Sequence, residues 1–177
     1  MRWERLWADL AVQAEALDRD ELHAEVADGA MREQASVALM DRVRASVGET
    51  VRCEMAGGQR WRGEITAHGV DWFEVATAGE RGQADVLVPT LAVRAFIGLA
   101  RAAVPADAMS LVSRRVDLRM VLRRVSARRV PVRLHRIESD PLAGQVVAVG
   151  RDYLDLLDAG AVVWSVPLSG LAAVTAD

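Results

Sequence analysis

The sequence contains no lysine and no asparagine, only one cysteine and one tyrosine, and no long hydrophobic run. All 22 formal positive charges are therefore arginine, and the two missing residue types, with Ala, Val, Arg and Gly abundant, fit a GC-rich bacterial genome rather than a selected property. A single cysteine excludes an intrachain disulfide framework and fits a reducing cytoplasm. Cys53 stands between Val51 and Met55 in an alternating run, which predicts a small buried hydrophobe rather than a reactive thiol. No stretch approaches the roughly 20 apolar residues of a membrane span. The N-terminal run Met1-Arg2-Trp3-Glu4-Arg5 carries charge and no continuous apolar stretch, so neither a signal peptide nor an anchor is expected. A cytoplasmic protein without membrane contact is the expectation.

What the chain does contain is a segment that returns. Gly63, Gly69 and Asp71 reappear 81 positions on as Gly144, Gly150 and Asp152, and Val88-Pro89 reappears 78 positions on as Val166-Pro167. An aromatic residue follows the aspartate both times, in Asp71-Trp72 and Asp152-Tyr153. A fixed period with its gap confined to a loop predicts two copies of one supersecondary unit.

The hydrophobic period supplies the elements. Leu6, Trp7, Leu10, Ala14 and Leu17 fall at helical spacing behind Trp3, and Val37, Leu39, Met40, Val43 and Val47 suggest a second helical stretch ending at Gly48. Beyond Gly48 the period changes to two. Strands are expected at 51–55, around Trp61 and Ile65, at 72–76, at 85–88 and at 91–97, with a turn at Gly57-Gly58, a bend at Gly63 and a loop over 78–83. After a linker over 99–108, Asp107 or Ser110 is expected to cap a helix from about Leu111 to Ser126, striped by Leu111, Leu118, Leu122 and Val125. Strands follow at 130–135, 144–149, 153–157 and 162–166, with a last one near 171–174. The expected organisation is an N-terminal amphipathic helix over 1–30, a helix plus five strands over 31–98, the linker, and a second helix plus five strands over 109–177.

A helix followed by five short, strongly bent strands resembles the Sm-like fold, the small barrel of Sm, LSm and bacterial Hfq proteins, which is SH3-like in its strand spacing. The residues that carry this are Val51-Arg52-Cys53-Glu54-Met55, Gly58, Gly63 and Phe96-Ile97-Gly98, with Val132, Leu134, Gly144, Gly150 and Leu171 in the second copy. The resemblance implies an α+β protein whose N-terminal helical segment precedes two five-stranded barrels, each with its own helix. The loop His68-Gly69-Val70-Asp71-Trp72-Phe73 lacks the asparagine, and Ile97-Gly98 lacks the preceding arginine, with which that family reads uridine. The chain also resembles tandem small-barrel proteins of uncharacterised role from GC-rich actinobacteria.

No residues gather into a reaction centre. His23, His68 and His135 fall on different elements without a second ligand type at metal spacing, so no metal and no cofactor are expected. Gly57-Gly58 lacks the following helix and lysine of a phosphate loop, no serine sits in a nucleophile elbow, and no small-molecule substrate is evident. An enzyme is not expected. Charge is distributed unevenly: residues 1–50 carry 11 acids against 6 arginines, whereas residues 99–136 carry 10 arginines against 2 acids. Arg114, Arg115, Arg119, Arg123, Arg124, Arg128 and Arg129 form the dense part of the basic block, with Arg115, Arg119 and Arg123 expected along one side of the second-copy helix. Such a block can contact phosphates of RNA or DNA, or be neutralised by the acidic N-terminal segment. Trp3, Leu6, Trp7 and Leu10 are the expected interface residues, because two tryptophans on one helix face are too large to leave in water. The sequence thus points first to a non-enzymatic module that self-associates or binds a protein partner, and second to a nucleic-acid-binding regulator.

Overall fold

The computed structural model describes residue 29 and residues 31–32, 34–79, 82–108 and 115–176. The chain divides into two units, Met1–Val37 and Ala38–Asp177. In the first, Gly29 and residues 31–32 and 34–36 are helical. The expected helix face of Trp3, Leu6, Trp7 and Leu10 lies outside the described residues, as does Arg114.

The second unit opens with α1 (Leu39–Ala45), followed by β1 (Thr50–Met55), β2 (Arg60–His68), β3 (Trp72–Gly79), β4 (Gly82–Pro89) and β5 (Val93–Ile97). Then come α2 (Leu118–Arg128), β6 (Pro131–Arg136), β7 (Ser139–Val149), β8 (Tyr153–Leu157), β9 (Val163–Pro167) and β10 (Leu171–Ala176). Among the described residues these ten strands form one antiparallel sheet in the order β5-β1-β2-β3-β4-β10-β6-β7-β8-β9.

That order corrects the expectation of two five-stranded barrels. Closing a barrel in each half would require β4 to pair with β5 and β9 with β10. Instead β4 takes β10 from the other half, with Leu87 opposite Val174 and Val86 opposite Thr175. A strand has two edges only: β4 uses its own on β3 and β10, and the ladder runs on as a single open sheet.

Within that sheet the two halves share their registers. Val51 faces Gly63 and Val132 faces Gly144; Trp72 faces Pro89 and Tyr153 faces Pro167. Register shifts fall between Ile65 and Ala67 in β2 and between Val146 and Ala148 in β7, again 81 positions apart (146−65, 148−67). Phe96 opposes Cys53 as Val174 opposes Leu134.

Several element bounds differ from those the sequence suggested. The helix expected from Leu111 is described from Leu118, because Asp117 is the cap and accepts the Met120 N–H at 2.9 Å. The third and fourth strands run to Gly79 and from Gly82, leaving a much tighter hairpin than the loop expected over 78–83. Thr90–Ala92 is a single 3-10 turn rather than strand. The residues between β5 and α2 are fastened to α1: Arg42 Nε donates to the Ala100 carbonyl at 2.9 Å, and the Val104 N–H donates to the Asp41 carbonyl at 2.9 Å.

Two buried clusters hold the unit together. One gathers Val43, Val51, Cys53, Met55, Ile65, Phe73, Val86 and Val88 with Ala172 and Ala173; the other gathers Trp72 and Leu87 with Leu118, Leu122, Leu134, Leu154, Leu171 and Val174. Each cluster therefore draws side chains from both halves. Cys53 is fully buried, as its alternating context predicts, and burial pushes its thiol up to about 11.

Candidate interaction surfaces

The strands at the join between halves are buried on both faces. In β4, Val86 and Val88 enter one cluster while Leu87 enters the other, and in β10 Ala172 and Ala173 face opposite to Leu171 and Val174. Among the described residues the two end strands of the sheet, β5 and β9, are paired on one side only and have the reverse character. Ile97 in β5 is 65% exposed, and Trp164 in β9 is 40% exposed beside the exposed Val162 and Val163. Trp164 is nonetheless held in place: its Nε1 donates to the Asp158 carboxylate at 2.8 Å, and the Gly160 and Val162 N–H groups donate to the same side chain. These donors, Trp164 foremost, keep the Asp158 carboxyl below its usual range.

Two turns extend the comparison. In both, the glycine N–H donates to the carbonyl of the aromatic residue at 2.9 Å, Gly69 to Trp72 and Gly150 to Tyr153. In both, the aspartate carbonyl receives the first N–H after the proline, from Thr90 to Asp71 at 2.9 Å and from Leu168 to Asp152 at 2.8 Å. The first turn carries a docked segment. Asp71 Oδ1 accepts the Leu118 N–H at 2.8 Å, and the Val116 carbonyl accepts from Trp72 Nε1 and the Val70 N–H, both at 3.1 Å. Trp72 is consequently only 7% exposed, whereas Tyr153 on the second turn is 42% exposed. Both aspartates line one cavity of about 380 Å³, with Arg119 and Arg151 beside them.

Removing the Asp71 carboxylate is expected to lower stability. Asp71→Ala leaves the Leu118 N–H without its acceptor and should cost about 1–2 kcal/mol in urea unfolding, while Asp152→Ala, with no segment docked on its carboxylate among the described residues, should stay within about 0.5 kcal/mol of wild type. Equal losses in the two variants would contradict this asymmetry.

The chain matches no protein-family model and no curated protein. The Sm-like resemblance thus has no support from relatives, and the interaction surfaces stand on geometry alone.

The arginine block is only partly arranged as its spacing suggested. Arg115 is exposed ahead of α2, so the expected one-sided row of Arg115, Arg119 and Arg123 reduces to Arg119 and Arg123, one turn apart. Arg119 pairs with Asp117 at 2.5 Å. Burial pushes the Asp117 carboxyl up, but the bonds from Arg119 and the Met120 N–H outweigh it and hold the group below its usual range. Arg123, Arg124, Arg128 and Arg129 are exposed on and just beyond α2. His68 and His135 lie apart on β2 and β6, and burial lowers the pKa of each below 6.5. Sequence reasoning missed the edge residues Ile97 and Trp164 and the unfilled Asp152-Tyr153 turn. The residues at the corresponding offsets, Thr175 for Ile97, Val86 for Trp164 and Trp72 for Tyr153, are buried at the join.

Proposed function

We propose that this protein is a non-enzymatic cytoplasmic assembly module, two copies of one helix-plus-five-strand unit in tandem, that associates with itself or with a protein partner through the open edges of its sheet. The observation that carries this reading is the exposed apolar character of both edges. Unpaired strand edges template association with another chain, and stable monomers ordinarily blunt them with charge, proline or a covering element. Here the edges display Ile97 on β5 and Val163 and Trp164 on β9. The buried lone cysteine supports a reducing compartment, and among the described residues no helix is long and apolar enough to cross a membrane. Light scattering of the full chain over a wide concentration range tests the reading: a mass above 19.2 kDa that grows with concentration is expected, and 19.2 kDa throughout would contradict self-association.

A second reading, binding of RNA or DNA, is favoured by one observation. The guanidinium groups of Arg124, Arg128 and Arg129 belong to exposed residues on and just beyond α2 and make no side-chain hydrogen bond or ion pair among the described residues. Replacing these three and Arg123 with glutamine is expected to weaken binding of a labelled single-stranded RNA and flatten its salt dependence, by about 0.7 in log–log slope for each phosphate no longer neutralised. No binding by the wild type at low salt would remove this reading.

A further inference from the structure

We propose that the two open edges are complementary to each other, so that the partner of each is a second copy of this chain, joined head to tail with β9 of one copy antiparallel to β5 of the next. This rests on the assembly reading and adds to it the partner and the register. The join already present within the chain supplies the template. There β4 pairs with β10, and the shared registers make β9 the counterpart of β4 and β5 the counterpart of β10, each displaced by 78 positions (167−89, 174−96). Val86 opposite Thr175 and Leu87 opposite Val174 therefore translate, between copies, into Trp164 opposite Ile97 and Ser165 opposite Phe96. Because the two surfaces differ, the contact is heterologous and forms a ring if its rotation closes and a filament if it does not.

A groove beside β5 shows what the joint would fill. Leu39, Val93 and Phe96 help to line a space of about 290 Å³ between α1 and the open edge. Their counterparts in the second half are Leu118, the first residue of α2, with Leu171 and Val174 of β10. The match of Leu39 to Leu118 is fixed by Val43 and Leu122, each four residues on and each fully buried. In the second half the place is occupied: Leu118, Leu171 and Val174 lie in one buried cluster with Trp72 and Leu87 from the first half. Leu118 is accordingly 5% exposed and Leu39 45% exposed. The counterparts of Trp72 and Leu87 are Tyr153 and Ser165. Tyr153 of one copy thus enters the groove at Leu39 of the next, while β9 completes the strand ladder.

Mixed disulfide formation tests the register. Chains carrying Ile97→Cys are mixed with chains carrying Trp164→Cys under mild oxidation, and the decoy mixture pairs Arg94→Cys with Trp164→Cys. Residues opposed across an antiparallel pair have Cα atoms about 4.5–5.5 Å apart, within disulfide range, whereas the decoy is displaced by roughly 10 Å along the strand. Cys53 stays out of the exchange because it is buried and its thiol is pushed up to about 11. A covalent dimer in the first mixture and none in the decoy is the expected result, together with roughly tenfold or more weakening of association by Tyr153→Ala without loss of monomer stability. Equal cross-linking in both mixtures would overturn the register. A wild type that assembles while neither mixture cross-links and Tyr153→Ala has no effect would overturn this joint yet leave the assembly reading standing. A wild type that stays monomeric at every concentration would end both.

Discussion

Gly63→Ala and Gly144→Ala are each expected to destabilise the protein by about 3 kcal/mol, a larger loss than most single substitutions produce. A Cβ at Gly63 would lie 2.0 Å from the Ala76 carbonyl oxygen, and one at Gly144 would lie 2.2 Å from that of Leu157. Both obstacles are backbone atoms of the neighbouring strand, so no side chain can swing aside and the ladder itself must part. These glycines are required by close approach, where β2 crosses β3 and β7 crosses β8, next to the register shift in each strand. With a urea m-value of about 2 kcal/mol/M, each variant should lower the unfolding midpoint by about 1.5 M. Gly170→Ala is the control, since a Cβ there meets nothing within 4 Å. Midpoints for Gly63→Ala and Gly144→Ala indistinguishable from that control would show that the strands can separate at little cost.

The double variant Ile97→Lys with Trp164→Lys is expected to weaken association at least 100-fold, about 2.7 kcal/mol, while each monomer remains folded. Both side chains are substantially exposed, so neither lysine has to be buried in the monomer. In the assembled pair the two positions face each other, and two ammonium groups directly opposed across strands are destabilising, as is placing charge on an edge that must pair. Light scattering should give a mass near 19.2 kDa at concentrations where the wild type is assembled, with the thermal unfolding of the monomer little changed. An unchanged mass would place the contact elsewhere on the molecule.

Much of the local architecture was legible in the sequence because it depends on side-chain period. The alternation Val51, Cys53, Met55 puts three buried residues on one face of β1, as expected, and the bends at Gly63 and Gly144 fall in matching registers. The strand order of the sheet was not legible, because a period of two tells which face a residue uses and says nothing about which strand its edge meets. One clue was available. Val86-Leu87-Val88 and Leu171-Ala172-Ala173-Val174 are continuous apolar runs, the signature of strands covered on both faces, whereas Trp164-Ser165-Val166 in the matching place is interrupted by a serine. Read together, those runs distinguish the strands joined within the chain from those left open. The start of α2 was misplaced for a different reason: Asp107, Ser110 and Asp117 are all cap-forming residue types, and it is the Asp117 side chain that accepts the Met120 N–H.

Hydrogen exchange at low and high protein concentration, followed residue by residue, tests the central claim most directly. If the open edges join copies of the chain, amides in Val93–Ile97 and Val163–Pro167 that face outward from the ladder should exchange freely in dilute protein and become protected as it assembles, whereas those of β4 and β10 stay protected throughout. Protection of β5 and β9 amides that is the same at both concentrations, in a protein that demonstrably assembles, would contradict the account.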